Sequence, residues 1–220
     1  MTTDTLSDRH IQMAVESELR WTPDVEAPHI GVSVDNHAVT LTGTVGSFPE
    51  RMAARRAALR VKGVSAVADD LTVHYAGAPL TDTDIAESVG LLLDASAVIP
   101  QGAVQASVRD HLVTLTGSVP WNYQRTEAAR AVGGVKGVTH VENHITLSQP
   151  SAVVLSSKIK DALARNAALE AQQINVDVKG DVVTLSGHLS SWSEKKQAGL
   201  TAWAAPGVGF VHNNIDVDPD

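Results

Sequence analysis

The 220-residue sequence has no cysteine. That excludes a disulfide framework and is compatible with a reducing compartment. No stretch approaches the roughly 18 apolar residues that a membrane-spanning helix needs. Basic residues are outnumbered, 17 Lys and Arg against 25 Asp and Glu, for a net charge of −8. A nucleic-acid-binding chain wants a net basic face, so no nucleic acid partner is expected, although one local basic patch is not excluded. The N-terminal run from Met1 to Trp21 has neither a basic leader nor a continuous apolar core, and it does not read as a signal peptide. The expectation is a cytoplasmic protein, or a periplasmic one if a signal has been removed. Catalytic signatures are missing too. The sequence has no GxSxG elbow, phosphate-binding Walker loop, HExxH pair or dinucleotide fingerprint after a strand. Nor does it offer a convergent set of nucleophile, base or metal ligands. The chain is therefore read as a non-enzyme with no cofactor.

What is present is a repeat. Val39-Thr40-Leu41-Thr42-Gly43 returns as Val113-Thr114-Leu115-Thr116-Gly117 and as Val183-Thr184-Leu185-Ser186-Gly187, with lead glycines 74 and 70 residues apart. Twenty residues after each comes a second glycine, Gly63, Gly137 and Gly207. A long period matched at both ends means a module copied three times. We place the copies at 5–75, 81–148 and 152–218. Units of about 70 residues bury only about 60% of their unfolded surface, so they should share contacts or lean on a partner.

Each copy reads α-β-β-α-β, an α+β module in which a small mixed sheet is covered by two helices. In the first, Ile11, Val15 and Leu19 recur at helical spacing within a helix from Thr5 to Arg20, capped at Ser7. Trp21 is read as a half-buried lid over the end of that helix. Ile30, Val32 and Val34 alternate as a strand, Asp35-Asn36-His37 makes a tight turn, and Val39 and Leu41 return. Gly43 lies inside the returning strand, where it marks a bulge or a close approach by another backbone. Ser47 and Glu50 form a capping box for a helix running to about Val61, striped with Ala54, Ala57 and Ala58, and Val64 to Val73 closes the module. The second copy places Ile85, Val89 and Leu92 inward, turns at Arg109-Asp110-His111, and ends on one strand from Val138 to Leu147. The third places Leu155, Ile159 and Leu163 inward, turns at Lys179-Gly180-Asp181, and repeats the capping box at Ser191 and Glu194. Asn36, Asp110 and Gly180 share one turn position, and all three types accept positive φ.

One recurring feature is not obviously required for folding. Large aromatics precede or open each second helix: Phe48, then Trp121 and Tyr123, then Trp192. They are half of the eight aromatics in the chain. Eight residues after each lead glycine stands a base, Arg51, Arg125 or Lys195. Arg55, Arg56 and Arg60 reinforce the first copy and Lys196 the third. Rings beside cations suit an anionic lipid surface. The same rings also serve as hydrophobic staples and the same bases as a solvated face, and both readings stand at this point. His140 and His144, four apart on one expected strand, would share a face, but no third ligand is clearly placed. His37 and His111 are expected to face solvent at their turns.

The VTL[TS]G stretch, the aromatic turn, the Ala-rich helix and the following KGV or PGV step together resemble the BON domain, named for bacterial osmotically inducible and nodulation proteins. The resemblance covers nearly the whole chain, from Ser7 to Val217, and the family glycines fall on Gly43, Gly117 and Gly187 and on Gly63, Gly137 and Gly207. It implies a non-catalytic fold associated with osmotic and envelope stress. Some members bind anionic phospholipid through the second helix and its preceding loop, here Phe48 to Lys62, Trp121 to Val132 and Trp192 to Trp203. A cytoplasmic member paired with a LysM domain senses potassium. The partners implied are an anionic membrane surface or an acidic protein, with a potassium ion or small ligand as the alternative.

Overall fold

A computed structural model describes residues 7–148, 151–166 and 173–218. The chain is mixed α+β. In the first repeat α1 (Asp8–Trp21) precedes β1 (Ile30–Asp35), β2 (Ala38–Val45), α2 (Phe48–Arg60) and β3 (Ala66–Val73). The third repeat runs α5 (Ala152–Ala164), β8 (Ile174–Lys179), β9 (Val182–Leu189), α6 (Trp192–Trp203) and β10 (Phe210–Val217). Both build the same sheet: the hairpin strands pair antiparallel, and the last strand crosses over to lie parallel to the middle one. A parallel neighbour needs a crossover connection, and the second helix supplies it. The second repeat comprises α3 (Asp82–Asp94), β4 (Val104–Arg109), β5 (Leu112–Val119), α4 (Asn122–Gly133), β6 (His140–Asn143) and β7 (Thr146–Leu147). Its strand order is β4-β5-β6, with β7 pairing β5 in parallel.

The chain forms two compact units. One takes in the chain to Leu92 with Ala106–Thr114 and Arg130–Glu142, and the other takes Leu93–Gln105, Leu115–Ala129 and the chain from Asn143. The first and third repeats each lie within one unit. In the first repeat Ile11, Val15 and Leu19 of α1 meet Val39 and Leu41 of β2, Leu71 of β3 and Ala54, Ala57 and Ala58 of α2. Alanines on the inner face bring α2 close to the sheet. The third core has the same plan, built on Leu155, Ile159, Leu163, Val183, Leu185 and Ile215.

The lead glycines have one physical cause. Gly43, Gly117 and Gly187 adopt φ of 116°, 126° and 128°. A Cβ at each would run into the carbonyl oxygen of His29, Ala103 or Gln173, at the entry to the opposite strand. The glycine permits that close backbone approach.

Several expectations are corrected. The first helix is seen from Asp8, and Thr5 lies outside the described residues. Ser7 makes no side-chain cap; its Oγ meets His10 Nδ1 at 2.8 Å. Trp21 is 86% exposed, because α1 ends on its solvent side and the core is already filled by Leu19. The third inward position of α3 is Leu93, not Leu92. The expected single strand from Val138 to Leu147 is broken at His144-Ile145 into β6 and β7, so the premise that His140 and His144 share a strand face fails. His111 is half-buried, with Nδ1 3.0 Å from the Gly137 carbonyl oxygen, and does not stand free in solvent.

The turns carry a device that periodicity alone does not reveal. Asp8 Oδ2 and Oδ1 accept from the N–H groups of Asn36 and His37 at 2.9 and 3.0 Å, and Asp82 does the same for Asp110 and His111. Turn residues at positive φ point adjacent N–H groups outward as an anion-binding nest. The N–H groups of His111 and Asp110 hold the Asp82 carboxyl below the ordinary range. The corresponding residue of the third repeat is Ala152, and its turn relies on Gly180 at φ 62°.

Candidate lipid-facing and ligand-facing surfaces

The start of each second helix is fixed before any ligand is considered. Ser47 Oγ accepts from Glu50 N, and Ser191 Oγ accepts from Glu194 N, both at 3.2 Å. Glu50 does not reach back to its own cap. Its buried carboxylate accepts from Gly46 N and from Glu26 N at 2.8 Å, which ties α2 to the α1–β1 connection. Gln124 takes that place in the second repeat, accepting from Trp121 N at 3.2 Å and donating to Val98 O at 2.8 Å. A buried side chain with each polar atom satisfied locks its surroundings, so the aromatics beside it sit on a rigid base.

The cations fall into two groups. Arg51 is committed inward: its Nε lies 3.1 and 3.0 Å from the two carboxylate oxygens of Asp69, and an amino nitrogen donates to Asp69 O at 3.2 Å. Eighteen residues after Arg125 and Lys195 stand Asn143 and Asn213, whose amides donate to the backbone oxygens of Arg125 and Lys195 at 2.9 and 2.6 Å. The link between helix and last strand is kept, while the Arg125 and Lys195 side chains are not the groups that make it. Arg60 is held by Glu18 at 2.8 Å. Arg55, Arg56 and Lys196 are exposed.

The aromatics also divide. Phe48 is half-buried in the first unit, edge-on to His140 at 5.8 Å and packed over Gly133, where a Cβ would meet its ring at 2.9 Å. In the same unit the Tyr75 hydroxyl donates to Val138 O at 2.6 Å, and burial pushes its pKa up. Trp192 is 72% exposed, and Lys195 Nζ stands 5.1 Å over its ring. Trp121 is half-buried and Tyr123 is 59% exposed, with ring centroids 6.3 Å apart. Both line a groove of about 840 Å³ in the second unit together with Asn122, Glu127 and Trp203. Trp121 also borders a second groove that carries Lys158, Asp161 and Arg165. Gly207 N donates to Pro120 O at 2.8 Å in that unit. The role of Trp203 was missed in sequence, although it stands four residues before Gly207, at the place that Gly133 holds before Gly137.

Among the described residues no group of three His, Cys, Asp or Glu is placed to hold a metal ion. No helix among them is long and apolar enough to cross a membrane.

A module with this strand order, these lead glycines and a capped second helix defines a class, and the whole sequence meets it. The BON domain matches three times, over residues 7–75, 81–149 and 151–219, and the chain belongs to that family. It is 31% identical over 145 residues to osmotically-inducible protein Y of Escherichia coli (strain K12), a span covering 60% of this chain and 70% of that protein. Two solved structures of CdsD, a structural protein of the Type III secretion system of Chlamydia trachomatis, align over 97% and 94% of the chain at 11% identity. Their TM-scores of 0.28 and 0.29 are too low to carry an argument.

Proposed function

We propose that this is a non-enzymatic, osmotic-stress-related protein that engages anionic phospholipid surfaces through its second helices. Family membership and the likeness to osmotically-inducible protein Y support the stress association. One observation carries the lipid reading: Trp192 projects from the start of α6 with Lys195 over its ring and exposed Lys196 beside it. An indole at the headgroup level with cations around it matches the interface of an anionic bilayer. Exposed Arg55 and Arg56 on α2 add a second patch. The net charge of −8 opposes approach. At physiological salt, however, fields fall off over about 8 Å, so the local cations dominate once the patch is seated. Each basic residue near such a surface contributes about 1 kcal/mol. A patch of two or three is therefore weak alone, and two patches on one chain gain from effective concentration.

Co-sedimentation with vesicles tests this. The wild type should pellet with phosphatidylglycerol vesicles at low salt and stay in solution with phosphatidylcholine vesicles. Lys195→Glu with Lys196→Glu should cut binding about tenfold or more, and added salt should release the protein. A wild type that ignores anionic vesicles at low salt rules the reading out.

A further inference from the structure

The contact that joins one repeat to the next occurs twice, at the same positions. Within the first unit Phe48, five residues after its lead glycine, packs over Gly133, sixteen residues after the next lead glycine. The Tyr75 hydroxyl of the first repeat also donates to Val138 O of the second. Within the second unit Gly207 N donates to Pro120 O at 2.8 Å, and Trp121 and Asn122 line one groove with Trp203 and Ala204. Asn122 and Trp203 hold the places of Phe48 and Gly133. In both units the start of one second helix meets the end of the next repeat's second helix. Burial follows the same rule. Gly137 and Gly207 are buried, and Val138 and Val208 beside them are 0% exposed. In the first repeat those places are Gly63, which is exposed, and Val64, which is half-buried. Leu59, at the place of Gly133 and Trp203, is 50% exposed. At the other end Trp192, at the place of Phe48, is 72% exposed. Among the described residues, then, the third repeat's helix start covers no neighbour, and the first repeat's helix end lies uncovered. They are the two halves of a contact that the chain makes twice already. We propose that they meet between molecules, with the Trp192 end of one copy seated on the face of a second copy formed by Leu59, Gly63 and Val64. A second copy is the partner that supplies both halves. Unlike faces meet, so copies add head to tail, into a ring or an open chain. Inside the chain the linkers raise the effective concentration of each contact. Between copies a contact of one small module is weak, at about 10–100 µM. The inference does not rest on the anionic-lipid reading, and a bilayer and a second copy compete for Trp192.

Analytical ultracentrifugation of the full chain, without lipid, reads the contact. The weight-average mass of the wild type should rise with concentration across about 10–500 µM. Leu59→Lys and Trp192→Ala, both at exposed positions, should each stay monomeric. Mixed in equal amounts they should form a dimer and nothing larger, because one variant keeps its Trp192 end and the other its Leu59 face. A contact between like faces could not be restored by that mixture. Ala66→Lys is a second block of the same face if Leu59→Lys loses its fold: Ala66 is exposed and holds the place of His140, which meets Phe48 at 5.8 Å. Exposed Lys196 lies near Trp192, and exposed Arg56 is three residues before Leu59. Screening therefore favours the contact, and association should hold or rise from about 50 to 500 mM salt, where vesicle binding falls. Leu59→Lys should end association and spare vesicle binding, so failure of one does not entail failure of the other. The proposal is overturned if the wild type stays monomeric up to about 500 µM, if either variant alone associates as the wild type does, if the mixture stays monomeric, or if salt abolishes the association.

Discussion

Replacing Gly187 with alanine should remove a large share of the stability of the third module, whereas the same change at Gly180 should be mild. The two sites share a hairpin and differ in one respect. Gly180 has φ 62° with open space where a Cβ would go, and Gly187 has φ 128° with the Gln173 carbonyl oxygen in the way. Alanine in the left-handed region costs about 1–2 kcal/mol. At φ 128° it leaves even that region, which adds backbone strain of about 1–3 kcal/mol. The Cβ must also push back the backbone that leads into β8. That threatens the ladder where Ile174 stands opposite Gly187, and one lost ladder hydrogen bond costs about 1 kcal/mol net. The Gly187 change therefore totals roughly 3–6 kcal/mol. A unit of about 70 residues has a total stability of roughly 4–10 kcal/mol. Hydrogen exchange of β8 and β9 amides in denaturant reads the difference locally, without assuming that three modules unfold as one. Gly187→Ala should strip protection from both strands and Gly180→Ala should leave it largely intact. Equal losses would falsify the close-approach account and leave only a general dislike of alanine at positive φ.

Other consequences follow from the same contacts. Arg51→Ala should lower the stability of the first module by about 1–3 kcal/mol in urea unfolding, since it strands the Asp69 carboxylate, while Arg55→Ala at an exposed position should stay within about 0.5 kcal/mol. Leu41→Ala and Leu185→Ala, both at fully buried positions, should each cost about 2–5 kcal/mol. Asp82 is a pH probe: its carboxyl is held low by the His111 and Asp110 N–H groups, so its contribution exists above the unfolded carboxylate pKa and fades as pH falls through the folded value. Asp82→Ala should therefore destabilise at pH 7, and its deficit against the wild type should shrink and vanish in acid; a deficit unchanged by pH refutes the nest. Trp192→Ala should leave the melting temperature unchanged within error, because the ring is largely in solvent, while reducing vesicle binding.

The repeat was legible because it is written in backbone terms. A glycine needed for close approach, a turn residue that accepts positive φ, and a serine with an acid three residues later each have one strong physical meaning, so Gly43, Asn36 and Ser47 could be placed from letters alone. Side-chain commitments were less legible because they depend on what lies opposite. Phe48, Trp121 and Trp192 look alike in sequence. Yet Phe48 is seated over Gly133, Trp121 borders two grooves, and Trp192 stands in solvent. Their differences come from the facing residues: the glycine before Gly137 admits a ring, and the tryptophan before Gly207 instead lines the groove. Some of this could have been found. Arg51, Arg125 and Lys195 are one position, and the residue eighteen further on reads Asp69, Asn143 and Asn213. A carboxylate there draws the basic side chain inward, and a carboxamide bonds the helix backbone instead, leaving that side chain for another use. One atom's difference at that position separates a structural arginine from a surface cation. The same swap is a direct test: Asn213→Asp should pull Lys195 off Trp192 toward the sheet and weaken vesicle binding without loss of fold, and unchanged binding would show that the cation beside Trp192 is not what holds the bilayer.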